Sequence, residues 1–380
     1  MANPSCLRAA ARNLSSSLFR NSTSRSARFV RHHSSSPASS VSADELSHFS
    51  GLASSWWDPM GPSRVLHLMN PLRHDFIAEC LAESSPAPPR QLSPEKQNGS
   101  EASSEGLRYL DVGCGGGIFA ESLARTIPLS RSSSSSVSPT NAASILAIDP
   151  SSTLIKIARD HARMDPAIFE HMRSGRFRYE NTTVEALSEQ STEDTSSASS
   201  SSSPAAAADR TFDVITLFEV IEHVDPKTSP LTFLKHCLRL LRPGGWLIGS
   251  TIARTVPSYV VNKVVAEAPW PIGVVPRGTH EWSKFVNADE LRGWVEEALM
   301  RAKDGTARRA GSEALQGMKW KCAGVVYIPG WGWKMVKGGE DWGNYFWALI
   351  HGSCARADNS LEKNVVVTIE ACIRYIAIGP

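Results

Sequence analysis

The segment Asp111-Val112-Gly113-Cys114-Gly115-Gly116-Gly117 sets a carboxylate two residues ahead of a run of glycines. Glycines let a chain turn sharply and bring its backbone close to a ligand. A carboxylate so near the turn would repel a pyrophosphate, and Ile118 stands where a G-x-G-x-x-G fingerprint needs its third glycine. Both features disfavour a dinucleotide. Asp111 would instead accept from an ammonium group, directly or through water. Asp149 ends the next strand-like run and can take both hydroxyls of a ribose. A nucleoside that also carries an amino acid satisfies both carboxylates. These residues therefore point to S-adenosylmethionine, with Gly113 and Gly115 at the turn that receives it.

A second group follows the strongly apolar run Phe212–Phe218. Glu219, Glu222 and His223 leave its carboxyl end, which is where open α/β sheets gather their ligands. On a helical turn, positions i, i+3 and i+4 share one face. Two carboxylates and an imidazole there could hold a divalent ion such as Mg²⁺ or Zn²⁺. His223 and Glu222 could instead do acid–base work without a metal, since an imidazole titrates near neutral pH. A plain capped turn is the third reading of the same residues.

The elements that must position these groups alternate along the chain. Tyr109–Val112, Ile145–Ile148, Phe177–Glu180, Phe212–Phe218 and Trp246–Ile252 read as strands. Ile118–Thr126, Leu154–Met164, Leu231–Leu241 and Ala288–Ala302 have helical spacing. Alternation of this kind implies an α/β, Rossmann-like fold with a mostly parallel sheet. Ala323–Ile328 and Val365–Ile376 are β-rich with no clear helix between them, and suggest an antiparallel edge strand.

Composition bounds the rest. Against a net charge of +2 over 380 residues, six arginines lie in the first 43, leaving −4 for the body. A mildly acidic body offers no basic face to nucleic acid. Residues 1–43 hold no Asp, Glu or Lys and are rich in Ser, the composition of a mitochondrial transit peptide. Cleavage is expected between Arg31 and Ser42. Residues 44–380 then form one domain with low-complexity inserts at 84–106, 130–144 and 188–209, which read as flexible loops. Seven cysteines without C-x-x-C spacing argue against a disulfide scaffold or a structural zinc site. No apolar run reaches the ~18–20 residues of a membrane-spanning helix.

Further motifs carry a family likeness. Phe49-Ser50-Gly51-Leu52-Ala53-Ser54-Ser55-Trp56-Trp57-Asp58 leads into Leu66-His67-Leu68-Met69-Asn70-Pro71-Leu72-Arg73. With Leu110–Gly117, the Glu-x-x-Glu-His-Val turn and Val275-Pro276-Arg277-Gly278-Thr279-His280, the chain resembles the ubiquinone biosynthesis O-methyltransferases over residues 45–300. The resemblance implies a class I methyltransferase fold. It implies that Arg73 reaches the carboxylate of S-adenosylmethionine, Gly113 lies against the cofactor, Asp149 binds its ribose and Phe218 lies beside it. Glu219, Glu222 and His223 match positions given to a divalent metal in the mitochondrial members. The implied substrates are 3,4-dihydroxy-5-polyprenylbenzoate and demethylubiquinol. The implied setting is the matrix face of the inner membrane, peripherally bound and in a complex with other ubiquinone-biosynthesis proteins.

A substrate with an isoprenoid tail requires membrane contact. Val256, Tyr259, Val260, Val264, Val265, Trp270, Ile272 and Val274 within Thr255–Val275 are too many to find a core and suit an interfacial element or a protein patch. Arg301–Gly352 departs from the family in its tryptophans Trp320, Trp331, Trp333, Trp342 and Trp347, and reads as a lid, a lipid-facing insert or an extension of the core. A noncatalytic scaffold and an NAD-dependent dehydrogenase are the alternative readings of the whole. Retention of the acidic and glycine positions opposes the scaffold, and Asp111 opposes the dehydrogenase.

Overall fold

The computed structural model describes residues 40–83, 106–129, 138–197, 211–225, 229–269, 277–302, 317–328 and 330–350, with residues 273, 275 and 315. The segment expected to target the chain lies, up to residue 39, outside the described residues, as does Val365–Ile376. Eight strands form one sheet in the order β3-β2-β1-β4-β5-β8-β6-β7. They are β1 (Leu107–Val112), β2 (Ala142–Asp149), β3 (Phe177–Asn181), β4 (Phe212–Phe218), β5 (Leu241–Ile252), β6 (Lys319–Ile328), β7 (Gly332–Val336) and β8 (Asn344–Ile350). The first five pair in parallel, and β8, β6 and β7 add antiparallel. This is the expected α/β sheet with an antiparallel edge.

Side chains alternate across a strand, so a sheet covered on both faces needs apolar residues at consecutive positions. Tyr109 faces a core with Phe76, Leu123 and Ile155, whereas Leu110 faces a second core with Phe233, Leu234 and Val295. Helices Arg64–Ala82, Ile118–Ala124 and Ser152–Ala162 supply the first core. Helices Pro230–Leu240 and Ala288–Ala302 supply the second. Two of the capping devices are local. Ser151 accepts from the Leu154 N–H, and Asp165 accepts from Ala167 and Ile168 to start an additional helix at Pro166–Arg173.

Two expectations are corrected, and a question left open is answered. The insert read as a loop from Ser188 begins as helix: Val184–Ser197 is helical, Thr183 caps it through the Ala186 N–H, and Val184 and Ser188 are buried. The apolar positions at its start dock on the second core, so its Ser-rich composition does not decide its first turns. The insert ending at 144 gives up its last residues to β2, because pairing of Ala142 and Ser144 with Leu107 and Arg108 extends the ladder. The strand beside β5 is β8, drawn from the tryptophan-rich region. Tyr345 through Leu349 are all buried there, and Gly249 leaves room for the Trp347 ring. Of the readings open for that region, β8 bears out an extension of the core, while Trp331 and Trp342 are exposed. Trp320 stacks on Trp347 at 5.9 Å, and the Trp333 Nε1–H donates to the Val65 carbonyl at 2.8 Å.

The stretches that join helix Arg64–Ala82 to β1, helix Ile118–Ala124 to β2 and helix Val184–Ser197 to β4 hold the three low-complexity sequences, each ahead of the amino end of a parallel strand. Replacing residues 199–209 by a short Gly/Ser bridge should leave the melting temperature within a few degrees, because loop length costs only ~0.6 kcal/mol per doubling. Extending the deletion back to Ser188 should lower it clearly further in the same thermal melt, since it removes a buried turn of helix.

Candidate active site

Parallel pairing brings the carboxyl ends of β1, β2 and β4 to one edge. Asp111 lies beside Thr216 in register, and its Oδ1 accepts from the Thr216 hydroxyl at 2.7 Å. Its Oδ2 is buried without a partner. Burial pushes this carboxyl up to about 7, against the pull of the Thr216 bond and the Arg73 charge. Asp149, at the end of β2, accepts from the Ser151 N–H at 2.8 Å and the Gly115 N–H at 2.9 Å. Burial raises its pKa, and these two bonds oppose the rise. Each oxygen keeps a second lone pair with which to accept a hydroxyl.

The glycine turn is set by close packing as well as by φ. Gly113 has φ +71°, and a Cβ there would meet Val220 at 2.8 Å. At Gly115 and Gly116 a Cβ would meet the Trp56 ring at 2.7 and 2.3 Å. The neighbouring Trp57 donates its Nε1–H to the Gly116 carbonyl at 2.9 Å. The Trp-Trp pair that marked the family likeness therefore rests directly on the turn.

Arg73 is 3% exposed on helix Arg64–Ala82, with its guanidinium 4.9 Å from the Phe218 ring centroid. It donates to Asn70 Oδ1 at 3.1 Å, and its Nε has no partner. Burial lowers its pKa to about 10, opposed by the charges of Glu219 and Asp111, so it remains a cation at neutral pH. No carboxylate lies within ion-pair distance of it among the described residues. A buried cation without an anion is costly, and the energy is recovered when an anion binds. The Phe218 ring contacts both the Arg73 guanidinium and the Phe119 ring.

Glu219, Glu222 and His223 do not form the expected ion-binding cluster. The turn Ile221–His223 is a 3₁₀ helix, and each of the three side chains turns to a different partner. Glu219, at φ +58°, accepts from the Ser250 hydroxyl at 2.6 Å and from Asn344 at 3.4 Å. Glu222 accepts from the Thr251 hydroxyl at 2.8 Å, and burial with the nearby Glu219 charge pushes it up to about 7. His223 donates from Nδ1 to Glu45 Oε2 at 3.0 Å. Among the described residues no group of three His, Cys, Asp or Glu side chains is placed to hold a metal ion. The residues present do not fit Mg²⁺ or Zn²⁺ in this arrangement.

Glu45 and its partner Lys284 were not legible as site residues. Lys284 Nζ donates to Glu45 Oε1 at 2.6 Å. The His223 and Lys284 bonds hold the Glu45 carboxyl down at about 2, in spite of its partial burial. Burial alone would depress the His223 imidazole, but the Glu45 bond and the surrounding carboxylates outweigh it and raise the pKa. The one sequence signal was position: Asp44 and Glu45 are the first acidic residues of the chain.

A mostly apolar cavity of about 560 Å³ joins these groups. Arg73, Asp111, Gly113, Gly115, Asp149, Phe218, Glu219, Glu222, His223 and Glu45 all line it, and Val261, Val265 and Val275 wall its other side. A glycine turn, two acidic strand ends and a buried arginine at the carboxyl ends of a parallel sheet with an antiparallel edge are the features of a class I S-adenosylmethionine-dependent methyltransferase. A family model described as a methyltransferase domain matches residues 73–298. The mitochondrial ubiquinone biosynthesis O-methyltransferase of Candida albicans is 32% identical over 83% of this chain and 87% of its own. That of Schizosaccharomyces pombe is 35% identical over 68% of this chain and 72% of its own, and the ubiquinone biosynthesis O-methyltransferase of Parvibaculum lavamentivorans is 35% identical over 70% of this chain and 83% of its own. The chain belongs to the ubiquinone biosynthesis O-methyltransferase family, and it is an S-adenosylmethionine-dependent O-methyltransferase. The dehydrogenase and scaffold readings are thereby set aside.

Arg73→Met should weaken S-adenosylhomocysteine binding by about 10–100-fold, the loss of charge-assisted hydrogen bonds to a carboxylate. The melting temperature without ligand should not fall, because the variant removes a buried cation that has no ion pair. Titration calorimetry and a thermal melt check the two halves separately.

Proposed function

We propose that the cavity methylates a phenolic oxygen of a polyprenylated dihydroxybenzoate and of a demethylated quinol, with His223 as general base. The observation that carries this reading is the His223–Glu45 pair at the cavity wall. Glu45 accepts the Nδ1 proton, so the Nε2 lone pair is left to take a proton from substrate. S-adenosylmethionine, when bound, supplies an electrophilic methyl group. Asp111, Asp149 and Arg73 hold its polar ends and leave the cavity between Phe218 and His223 for an aromatic ring. The proton gained by His223 makes an imidazolium, which the Glu45 charge stabilises. Glu222, close by and pushed up to about 7, adds a second acid at the same wall.

The homologues named as mitochondrial and the acid-free, Arg-rich segment 1–43 support residence in the mitochondrion. We place the protein peripherally on the matrix face of the inner membrane, within reach of other ubiquinone-biosynthesis proteins. Among the described residues no helix is long and apolar enough to cross a membrane. The short helix Val256–Ser258 continues as a π-helix over Tyr259–Val265 and exposes Val256, Tyr259, Val260, Val261, Val264 and Val265, of which Val261 and Val265 also line the cavity. An exposed apolar helix at the cavity mouth suits a lipid surface that delivers a tailed substrate.

The decisive assay is methyl transfer from S-adenosylmethionine to a short-tailed dihydroxybenzoate, followed by mass spectrometry; absence of any methylated product would overturn the proposal. His223→Gln should reduce kcat by about 10²–10⁴-fold. Because the folded imidazole titrates above its ordinary value, the base form grows as pH rises through that raised pKa, and wild-type kcat should rise over the same range. The variant should regain rate only at high pH, where the phenol ionises unaided. Parallel runs with chelator read the role of an ion: loss of turnover would mean that Glu219, Glu222 and His223 regroup around one.

Val260→Asp with Val264→Asp should abolish co-flotation with vesicles containing anionic lipid while turnover of the short-tailed substrate persists. Undiminished flotation would remove this helix as the membrane contact.

A further inference from the structure

The N-terminal strap, residues 40–45, contacts the proposed base from outside the methyltransferase core. Its backbone runs beside the residues that follow His223. Val41 bridges Val224 antiparallel, and the Asp225 N–H donates to the Ser40 carbonyl at 2.8 Å. The helix Ala43–Leu52 then begins, and its first turn carries Glu45. Glu45 Oε2 accepts a hydrogen bond from the Nδ1–H of His223, 178 residues away, and Oε1 accepts one from Lys284 Nζ at 2.6 Å. Lys284 is fixed in turn by Glu281 at 2.8 Å. One turn beyond Glu45, Phe49 meets the His223 ring edge-on at 4.9 Å.

We infer that Glu45 is the positioning residue of the active site, holding His223 in the tautomer and orientation that the proposed methyl transfer needs. The inference rests on the role proposed for His223. The physical argument is one of donors and acceptors. A carboxylate only accepts, so it can satisfy His223 and Lys284 at once, and the imidazole proton must then lie on Nδ1. A neutral imidazole so protonated has its lone pair on Nε2. Phe49 against the ring restricts rotation about the remaining torsion. Partners of this kind, one bond removed from the reacting group, typically change function by about 10–100-fold when lost.

The same argument makes an unusual test. In Glu45→Gln the amide has one accepting atom and one donating group. Lys284 is a donor only and must face the amide oxygen. The NH₂ group is then presented to Nδ1, which must become the acceptor, and the imidazole proton moves to Nε2. A ring protonated at Nε2 cannot take the substrate proton. Substituting Lys284→Met in the same chain frees the amide to turn its oxygen towards His223 and should return the original tautomer.

The experiment uses the full chain and three readouts. Glu45→Gln should lower kcat with the short-tailed substrate by about 10–100-fold, leave S-adenosylhomocysteine affinity within about twofold by the same argument, and shift the His223 ¹⁵N imidazole signals from the Nδ1–H to the Nε2–H pattern. Glu45→Gln with Lys284→Met should recover both rate and signal pattern, and Glu45→Asp should retain part of the rate. His223→Gln assigns the signals. A Glu45→Gln variant with wild-type kcat and the Nδ1–H pattern would overturn the inference. So would equal loss of cofactor affinity and melting temperature in every Glu45 variant, which marks a packing role. If wild-type protein methylates no dihydroxybenzoate, the proposed reaction fails, while the imidazole spectra still decide whether Glu45 sets the tautomer.

Discussion

Asp149 accepts from the backbone N–H groups of Gly115 and Ser151, and the geometry of the cofactor site hangs on that pair of bonds. The carboxylate ends one strand, yet it fastens the turn that follows a different one. It also joins that turn to the cap of helix Ser152–Ala162. Without it the glycine segment would be held by Ile148, whose carbonyl accepts from Gly113 and Cys114, and by the Trp56 and Trp57 rings above it. A carboxylate that already holds its scaffold through backbone donors is preorganised, because its direction is set before any ligand arrives.

A second consequence of the strand order is a division of labour across the cavity. The β1–β2 side offers the glycine turn with Asp111 and Asp149, and the β4–β5 side offers Glu219, Glu222 and His223. Arg73, carried by helix Arg64–Ala82, stacks on Phe218 at the end of β4. Its charge tempers Asp111 and is tempered in turn by Glu219, so binding of an anion at Arg73 is electrostatically felt at both carboxylates.

Features decided by neighbours in sequence were legible; those decided by distant partners were not. The glycine turn, the two acidic strand ends and the five parallel strands follow from local pattern. Residues 212–218 could hardly be anything but a buried strand. The spacing of Glu219, Glu222 and His223 was legible too, but a sequence cannot say whether a short turn is α or 3₁₀, and that difference, with Ser250, Thr251 and Glu45 as competing partners, disperses the three side chains. Glu45 escaped notice because its meaning lies 178 residues away. Ser188 was misread because serine content describes a solvated face and says nothing of the apolar residues that seat the helix. β8 was missed because tryptophan content suits a lid or a lipid contact as well as a core, and the partner that decides it, Gly249 on β5, is about a hundred residues away.

The three low-complexity stretches each lead into the amino end of a parallel strand, and the groups that bind and react all sit at the carboxyl ends. The sheet is therefore polar in what it tolerates. One rim can lengthen, shorten or change composition without any residue of the cavity having to adjust, because the strand between them transmits a fixed register and no length. The opposite rim has no such freedom: its connections run through residues 113–117, 149–151 and 219–224, where a single inserted residue would move a carboxylate off its partner. Drift in chain length thus accumulates on one side of the molecule, and a label or fusion placed there would report on the enzyme without entering its chemistry.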